Sequence, residues 1–581
     1  MSALSERELH GTDRFQILRR LGAGGMGVVY EALDCERNVP VALKTLPAPS
    51  GDGLLRLKNE FRALQGVDHP HLVRLGELIE ARGQWFFTME LIRGCDFLTH
   101  VRSGRTATFD EARLRSALGQ LARAVVALHA VGLVHRDIKP SNVMVTHEGR
   151  VVLLDLGLVT GATQAQQSAE LHVVGTIAYM APEQAASQRV GPAADWYSLG
   201  AVLYEALTGK VPFQGTAFEI LVNKQKFEPA PPRALLPSVP ADLDGLCLAL
   251  LQFDPAARPP AREVLARLGV AEEPGQPPIT SSSLQPGANF VGRGAELGAL
   301  RDAFDQTRLG TSVAVLVEGE SGAGKPLLAQ RLTEDLAESD WSPVVLAGRC
   351  YERESVPFKA FDGVIDALSR HMARLTGEDA ALLIPRQGAL LAHVFPVLGR
   401  VSAFGKLAAA RDAFARLEPQ ELRTRLFGAV RELLERLAGR QPLVLVIDDL
   451  QWADVDSLAL LEEVLRPPEA PALLLVATAR PDAQASWGER GRFLRGVQRI
   501  VLGPLSRAET RELARRLLPA SHDATALEAI AGQSAGHPLF VDELARFTQQ
   551  HQQQGARGSI SMPPSWRAWD SSRRRRAVCS R

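Results

Sequence analysis

Asp137 and Asn142 stand five residues apart in VHRDIKPSNVMV, with Lys139 between them, and Asp155 follows in VVLLDLGLV. A carboxylate, a lysine, a carboxamide and a second carboxylate in this order suit phosphoryl transfer. That reaction needs a carboxylate to orient the attacking hydroxyl, oxygen ligands to hold Mg²⁺ on the phosphates, and positive charge for the group in flight. Asp137 fits the first task, Asn142 and Asp155 the second, and Lys139 with Lys44 the third. Lys44 lies in VALK, downstream of LGAGGMGVVYEA, where Gly22, Gly24 and Gly27 have G-x-G-x-x-G spacing and Val29 follows two residues later. The glycine pattern alone is weak, because it also opens dinucleotide folds and chance turns. With a lysine on the next strand it predicts a β-hairpin whose backbone lies against phosphates, Lys44 reaching them as a point charge.

A second phosphate pattern occupies residues 319–326, GESGAGKP. Its spacing is that of G-x-x-x-x-G-K-[ST], but Pro326 stands where Ser or Thr would ligate Mg²⁺. Proline removes that hydroxyl and a backbone N–H, yet its ring tolerates the first turn of a helix. Lys325 and the N–H groups of residues 322–325 remain to cradle phosphate. The loop is therefore expected to keep its shape and its nucleotide binding while losing most of its hydrolysis.

These groups need scaffolds, and a chain of 581 residues predicts several domains. Residues 269–289 are rich in Pro, Ser and Gly and read as a linker, and 551–581, with runs of Gln and Arg, as a disordered tail. Before the linker, apolar alternations give way to helical periodicity. Over 110–131, Leu114, Leu118, Leu121, Val125 and Leu128 fall on one face, the pattern of an α+β domain. After it, VAVLVEG, LVLVID and LLLVATA alternate with helical stretches, which predicts a parallel α/β sheet. The 66 basic residues equal the 66 acidic ones, so no net field draws the chain to nucleic acid or membrane. Arg573 to Arg576 read as a solvated end, without the aromatic interleaving of a nucleic-acid site. Five scattered cysteines, a charged N-terminus and the lack of any long apolar run predict a cytoplasmic protein.

Residues 15–268 closely resemble eukaryotic-like bacterial Ser/Thr protein kinases, on the motifs above together with VGTIAYMAPEQ and ADWYSLG. The resemblance implies a bilobal kinase fold that uses ATP and Mg²⁺. Asp137 would be the catalytic base, with Lys139 and Asn142 beside it and Asn142 and Asp155 as metal ligands. ATP would lie against Leu21, Gly22, Ala23, Gly24, Gly25, Met26, Gly27, Val28, Val29, Ala42 and Lys44. Glu60 would pair with Lys44, Met89 act as gatekeeper, and the backbone of residues 90–92, beginning at Glu90, hold adenine. Asp195 would brace the catalytic loop, and Glu183 with Arg258 would anchor the C-terminal lobe. Leu156 replaces the usual Phe after Asp155. Lys139 and Thr176 match the pattern for Ser/Thr rather than Tyr acceptors. Arg136 could take a phosphate of the activation segment, whose hydroxyls include Thr160, Thr163, Ser168 and Thr176. Thr163 and Ser168 are the preferred phosphosites, Thr176 having a structural task.

Residues 290–556 resemble the P-loop ATPase module of multidomain signal-transduction ATPases, divided as an AAA-like domain over 290–482 and a helical extension over 483–550. The quoted signatures are NFVGRGAELGAL with Arg293 and Glu296, the glycine loop, LVLVIDDLQWAD, LLLVATARPD, and GHPLFVDEL with His537 in place of Asn. The resemblance implies a nucleotide site built from Gly319, Gly322, Gly324 and Lys325, with Asp448 for Mg²⁺, Asp449 positioning water and Arg480 as a sensor. It also implies self-association through this module and a longer family architecture, against which the patternless C-terminal end reads as truncated or frame-shifted. The expectation is a Ser/Thr kinase acting on protein hydroxyls and joined to a regulatory nucleotide-binding module. The competing class is a catalytically silent nucleotide-binding scaffold.

Overall fold

The computed structural model describes residues 11–553 apart from 25–26, 46–50, 66, 103–107, 155–176, 187, 189, 271–289, 406, 408–417, 484–486, 488–492, 495–496 and 519–523. Asp155, Thr160, Thr163, Ser168, Thr176, Gly25, Met26 and nearly all of the expected linker thus lie outside the described residues, as do 554–581 of the tail. The strands are β1 (Phe15–Gly24), β2 (Gly27–Asp34), β3 (Val39–Thr45), β4 (Leu75–Ala81), β5 (Gln84–Glu90), β6 (Gly94–Asp96), β7 (Val143–Thr146) and β8 (Val151–Leu153). They continue as β9 (Val313–Gly319), β10 (Val344–Arg349), β11 (Glu354–Ser355), β12 (Leu443–Asp448), β13 (Leu473–Ala479) and β14 (Gln498–Leu502).

Two compact units result. One holds residues 1–283 with 352–357 and 389–411; the other holds 284–351, 358–388 and 412–581. In the first, β1, β2, β3, β5 and β4 form an antiparallel sheet, and helix α1 (Gly51–Leu64) packs Leu54, Leu57 and Phe61 into the core behind it. A helical half follows. The helix Glu111–Ala130 starts at Asp110, whose side chain accepts from the Arg113 N–H, an N-cap that satisfies one of the free amides of the first turn. Leu114, Leu118, Leu121, Val125 and Leu128 are all fully buried, as the three-to-four spacing requires. The neighbouring helix Ala193–Thr208 is apolar nearly all round and ends on Gly209 at φ 75°, a left-handed cap that only glycine takes without strain. In the small sheet β6-β7-β8, β7 starts at Val143, directly after the segment that holds Asp137, Lys139 and Asn142.

The second unit is a five-stranded parallel sheet in the order β10-β12-β13-β9-β14. The sequence runs VAVLVEG, LVLVID and LLLVATA are β9, β12 and β13, buried along most of their length because helices cover both faces. The chain leaves β9 toward the β10 edge and leaves β13 toward the β14 edge, so the order switches between the adjacent strands β13 and β9, at whose carboxyl ends such sheets bind ligands. Within the span that the sequence assigns to the ATPase domain, residues 352–357 and 389–405 pack with the first unit, and β11 in the former adds a strand to β4. At the C-terminal side the last described helix, Pro538–Gln553, runs past residue 551.

Candidate active site

The glycine hairpin is formed as the spacing requires. β1 and β2 pair with Gly22 opposite Val29, Ala23 opposite Val28 and Gly24 opposite Gly27. Gly27 takes φ 133°, a backbone value closed to residues with a Cβ, which lets the hairpin turn tightly. Leu21, Gly22 and Ala23 are exposed along the strand, and Val29 sits opposite Lys44 of β3. Lys44 is almost completely buried, and its Nζ donates to Glu60 Oε1 of α1 at 2.7 Å. A buried charge persists only when it is paired and hydrogen-bonded, so this ion pair ties the position of α1 to the sheet. Ala42 faces Met89 in the next pairing, both buried. Glu90 follows at the end of β5. Its N–H is engaged by the Arg74 carbonyl at 3.0 Å, and its carboxylate accepts from the Arg74 N–H and from Arg150 Nη2. A backbone N–H so engaged cannot serve adenine, which leaves that donor to residues 91–92.

The catalytic segment is held from beneath by Asp195, a fully buried carboxylate in the first turn of Ala193–Thr208. It accepts from the His135 N–H at 2.8 Å, the Arg136 N–H at 2.8 Å and His129 Nε2–H at 2.7 Å. Arg136 has φ 66°, a left-handed conformation that costs a non-glycine residue about 1–2 kcal/mol. Three donors on one carboxylate hold it there. The turn this produces presents Asp137, whose Oδ2 accepts from Lys139 Nζ at 2.8 Å and from Asn142 Nδ2 at 2.9 Å. The same Asn142 amide reaches the Asp137 carbonyl at 2.9 Å. With its nitrogen committed twice, Asn142 keeps its carboxamide oxygen as its side-chain acceptor, an atom of the kind that suits Mg²⁺. Among the described residues no three His, Cys, Asp or Glu side chains are grouped to hold a metal. Asp137, Lys139 and Asn142 are thus brought together at the end of the helical half, Lys44 and Glu60 on the sheet half.

Two further constructions support the segment. Glu183 and Arg258 make a buried bidentate pair at 2.7 and 2.8 Å, and Arg258 also donates to the carbonyls of Gln252, Phe253 and Ala193. Lys224, which no sequence pattern singles out, sends Nζ to the carbonyls of Ile177, Ala178 and Met180 at 2.6, 2.8 and 2.6 Å. Burial pushes its ammonium down to about 7. No sequence pattern singles out His129 either. A lone histidine at a helix end carries no signal until its aspartate partner is in place.

In the second unit β9 runs into the phosphate loop, where Gly322 and Gly324 have φ 81° and 94°. At Gly322 a Cβ would also meet His537 and Leu539 at 2.7 and 2.8 Å, so only glycine fits beneath that element. His537 Nε2 lies 2.9 Å from the Ser321 carbonyl, which explains how GHPLF reaches the loop. The helix Lys325–Ala337 follows with Pro326 in its first turn, where the missing N–H breaks no intrahelical bond. Lys325 is buried and turns Nζ onto the loop's own carbonyls, Gly319 at 2.7 Å and Glu320 at 3.0 Å. Burial lowers its pKa, against the pull of Asp449 and Asp448. Asp448 ends β12 and accepts from Thr478 Oγ1 at 2.5 Å; burial and the adjacent Asp449 raise its pKa. Arg349, at the end of β10 and also unforeseen, donates to Asp449 Oδ2 at 2.7 and 3.0 Å and lies 3.5 Å from Asp448 Oδ2. Arg480 sits at the end of β13 with its guanidinium over the Trp452 ring at 5.8 Å.

Residues 15–268 match the protein kinase domain and residues 289–476 the AAA ATPase domain. The chain therefore joins a protein kinase domain to an AAA ATPase domain. Over 249 residues it is 35% identical to the serine/threonine-protein kinase PknD of Mycobacterium tuberculosis, covering 42% of this chain and 37% of that protein. It is 31% identical over 249 residues to the serine/threonine-protein kinase PrkC of Bacillus subtilis, covering 42% and 38%. With PknA of Mycobacterium tuberculosis it shares 34% identity over 279 residues, covering 46% and 64%. The chain thus spans between about a third and two thirds of these relatives. Among the described residues no helix is long and apolar enough to cross a membrane.

Proposed function

We propose that the chain is a Ser/Thr protein kinase that transfers the γ-phosphate of ATP to hydroxyls of proteins, itself included. The observation that carries this reading is the loop at Asp137. A buried aspartate fixes a strained turn, and the turn aims a carboxylate already flanked by Lys139 and Asn142. Asp137 would accept or orient the proton of the attacking hydroxyl, and Lys139 would offset charge developing on the transferred group. The Gly22–Gly27 hairpin and Lys44 would hold the phosphates, with Glu60 setting the lysine. Asn142 and Asp155 would hold Mg²⁺, which supplies charge neutralisation on the phosphates when bound. The Ser/Thr kinases PknD, PrkC and PknA support the acceptor class by likeness.

The ATPase domain is proposed as a nucleotide-binding regulatory unit with little hydrolysis. Pro326 removes the hydroxyl ligand, and Arg349 occupies the carboxylates that a metal would need. The test is incorporation of ³²P from γ-labelled ATP into the purified chain, beside Asp137→Asn and Lys325→Ala. Label lost only with Asp137→Asn is the expected result. No label in any form, with nucleotide still bound, would replace the enzyme with a signalling scaffold.

A further inference from the structure

Helix α1 carries Glu60, and its position decides whether Lys44 is paired. Its outer surface is not open. Residues 352–357 and 389–405, which follow the phosphate loop in sequence, complete the first unit against it. β11 extends the sheet beyond β4, with Glu354 opposite Leu78 and Ser355 opposite Ile79, and the Leu78 N–H donates to the Arg353 carbonyl at 3.0 Å. The Glu354 side chain is fully buried and takes a fork from Arg62 of α1, Nε to Oε1 at 2.7 Å and Nη2 to Oε2 at 3.1 Å. Arg62 stands two residues beyond Glu60. Val356 enters the same apolar cluster as Leu54, Leu57 and Phe61. At the other end of the helix, a Cβ on Gly51 would lie 2.9 to 3.0 Å from backbone atoms of Pro396, Val397 and Arg400. Arg400 Nε also pairs with Asp52 Oδ1 at 2.8 Å.

We propose that these two segments are a built-in docking partner of α1, and that they hold the Lys44–Glu60 pair in its engaged state. The first and last turns of the helix are both gripped, one by a backbone contact and an ion pair, the other by a buried bidentate pair. A buried arginine fork with no carboxylate is strongly unfavourable, so α1 loses its seat when Glu354 leaves. Since 352–357 are covalently continuous with β10, whose Arg349 engages Asp448 and Asp449, the second nucleotide site lies within a few residues of this grip in sequence. The proposal rests on the kinase reading, and its test includes a readout independent of it.

The full chain is compared as wild type, Glu354→Gln, the exchanged pair Arg62→Glu with Glu354→Arg, and Asp52→Asn. The readouts are kcat and KM on a Ser/Thr peptide, and hydrogen exchange of amides 51–64. If the engaged state drops to a tenth of molecules, kcat falls about tenfold. Glu354→Gln is expected to show that loss with the peptide KM unchanged and with faster exchange along α1, and the exchanged pair to recover both. Asp52→Asn breaks only a half-exposed contact; it should quicken exchange in the first turn and serves if the buried variants do not fold. Unchanged kcat and unchanged exchange at 51–64 in folded Glu354→Gln, or unchanged first-turn exchange in Asp52→Asn when the buried variants do not fold, would overturn the proposal. A wild type that transfers no phosphate defeats the kinase reading instead, and exchange at 51–64 alone then decides the docking.

Discussion

Asp195→Asn separates catalytic geometry from nucleotide binding, because Asp195 touches neither Lys44 nor the glycine hairpin. The carboxylate accepts three hydrogen bonds with no exposure to water, two of them from the backbone of His135 and Arg136. Hydrogen bonds to a charged group contribute about 1.5–3 kcal/mol each. Asparagine keeps one oxygen and turns an NH₂ toward at least one N–H that needs an acceptor. The loss is then roughly 3–4 kcal/mol, and Arg136 at φ 66° stands ready to relax by about 1–2 kcal/mol of it. With that about 1–2 kcal/mol released on relaxation, the productive loop is about 5- to 30-fold less populated. Steady-state kinetics on a single-acceptor peptide should show kcat falling by that factor while KM for ATP stays within twofold. Calorimetry should show the transition of the first unit lowered by roughly 6–10 °C. A kcat within threefold of wild type would refute the argument that Asp195 holds the strained turn in place.

Arg258→Ala leaves Glu183 buried without its fork, and a loss of about 3–5 kcal/mol is expected in urea unfolding, with Lys recovering only part because it cannot make the bidentate contact. Lys224 titrates at about 7 in the folded chain against 10.5 when free. The unfolded state therefore binds more protons between those values, so stability gains as pH rises through that window and the burial penalty is greatest below pH 7. Lys224→Met should flatten that slope relative to wild type in melts from pH 6 to 10; an unchanged slope removes Lys224 as its source. Pro326→Ser, in an Asp137→Asn background, should raise Mg²⁺-dependent ATP hydrolysis several-fold when combined with Arg349→Ala, which clears the two carboxylates. Hydrolysis that stays at background would place the defect elsewhere in the module.

The elements that were legible in the sequence are those in which one local rule decides the outcome. Three apolar runs became β9, β12 and β13 because short Val-, Leu- and Ile-rich runs of six or seven residues suit a strand buried on both faces and are too short for a buried helix. The face of Glu111–Ala130 followed from spacing alone. Sites reached through short motifs were legible for the same reason, since Asp137, Lys139 and Asn142 are neighbours in sequence. What escaped depends on long-range pairing. Lys224 reaches three carbonyls some 45 residues away, Arg349 meets carboxylates 100 residues on, and Arg62 finds Glu354 292 residues on. A single charged residue on a helix or at a strand end looks like a solvated one until its partner's place in space is known. The addition of β11 to the first sheet escaped for a related reason: two residues are too short for any period to register.

The two candidate phosphate sites of this chain differ in where their polar groups are directed. At Asp137 the backbone N–H groups of His135 and Arg136 donate to Asp195, which balances the strain at Arg136, and Asp137 Oδ2 accepts from Lys139 and Asn142. At Lys325 the cation is satisfied by carbonyls of its own loop, and Asp449 by Arg349, so the machinery is closed on itself. Nucleotide phosphates would have to draw Lys325 away from two short hydrogen bonds, and a metal would have to displace a guanidinium, before any water could be activated. Pro326 removes the hydroxyl that would help that exchange by binding the metal. A site arranged in this way has to exchange its own contacts before it can hold a metal, so slow hydrolysis is the expected outcome.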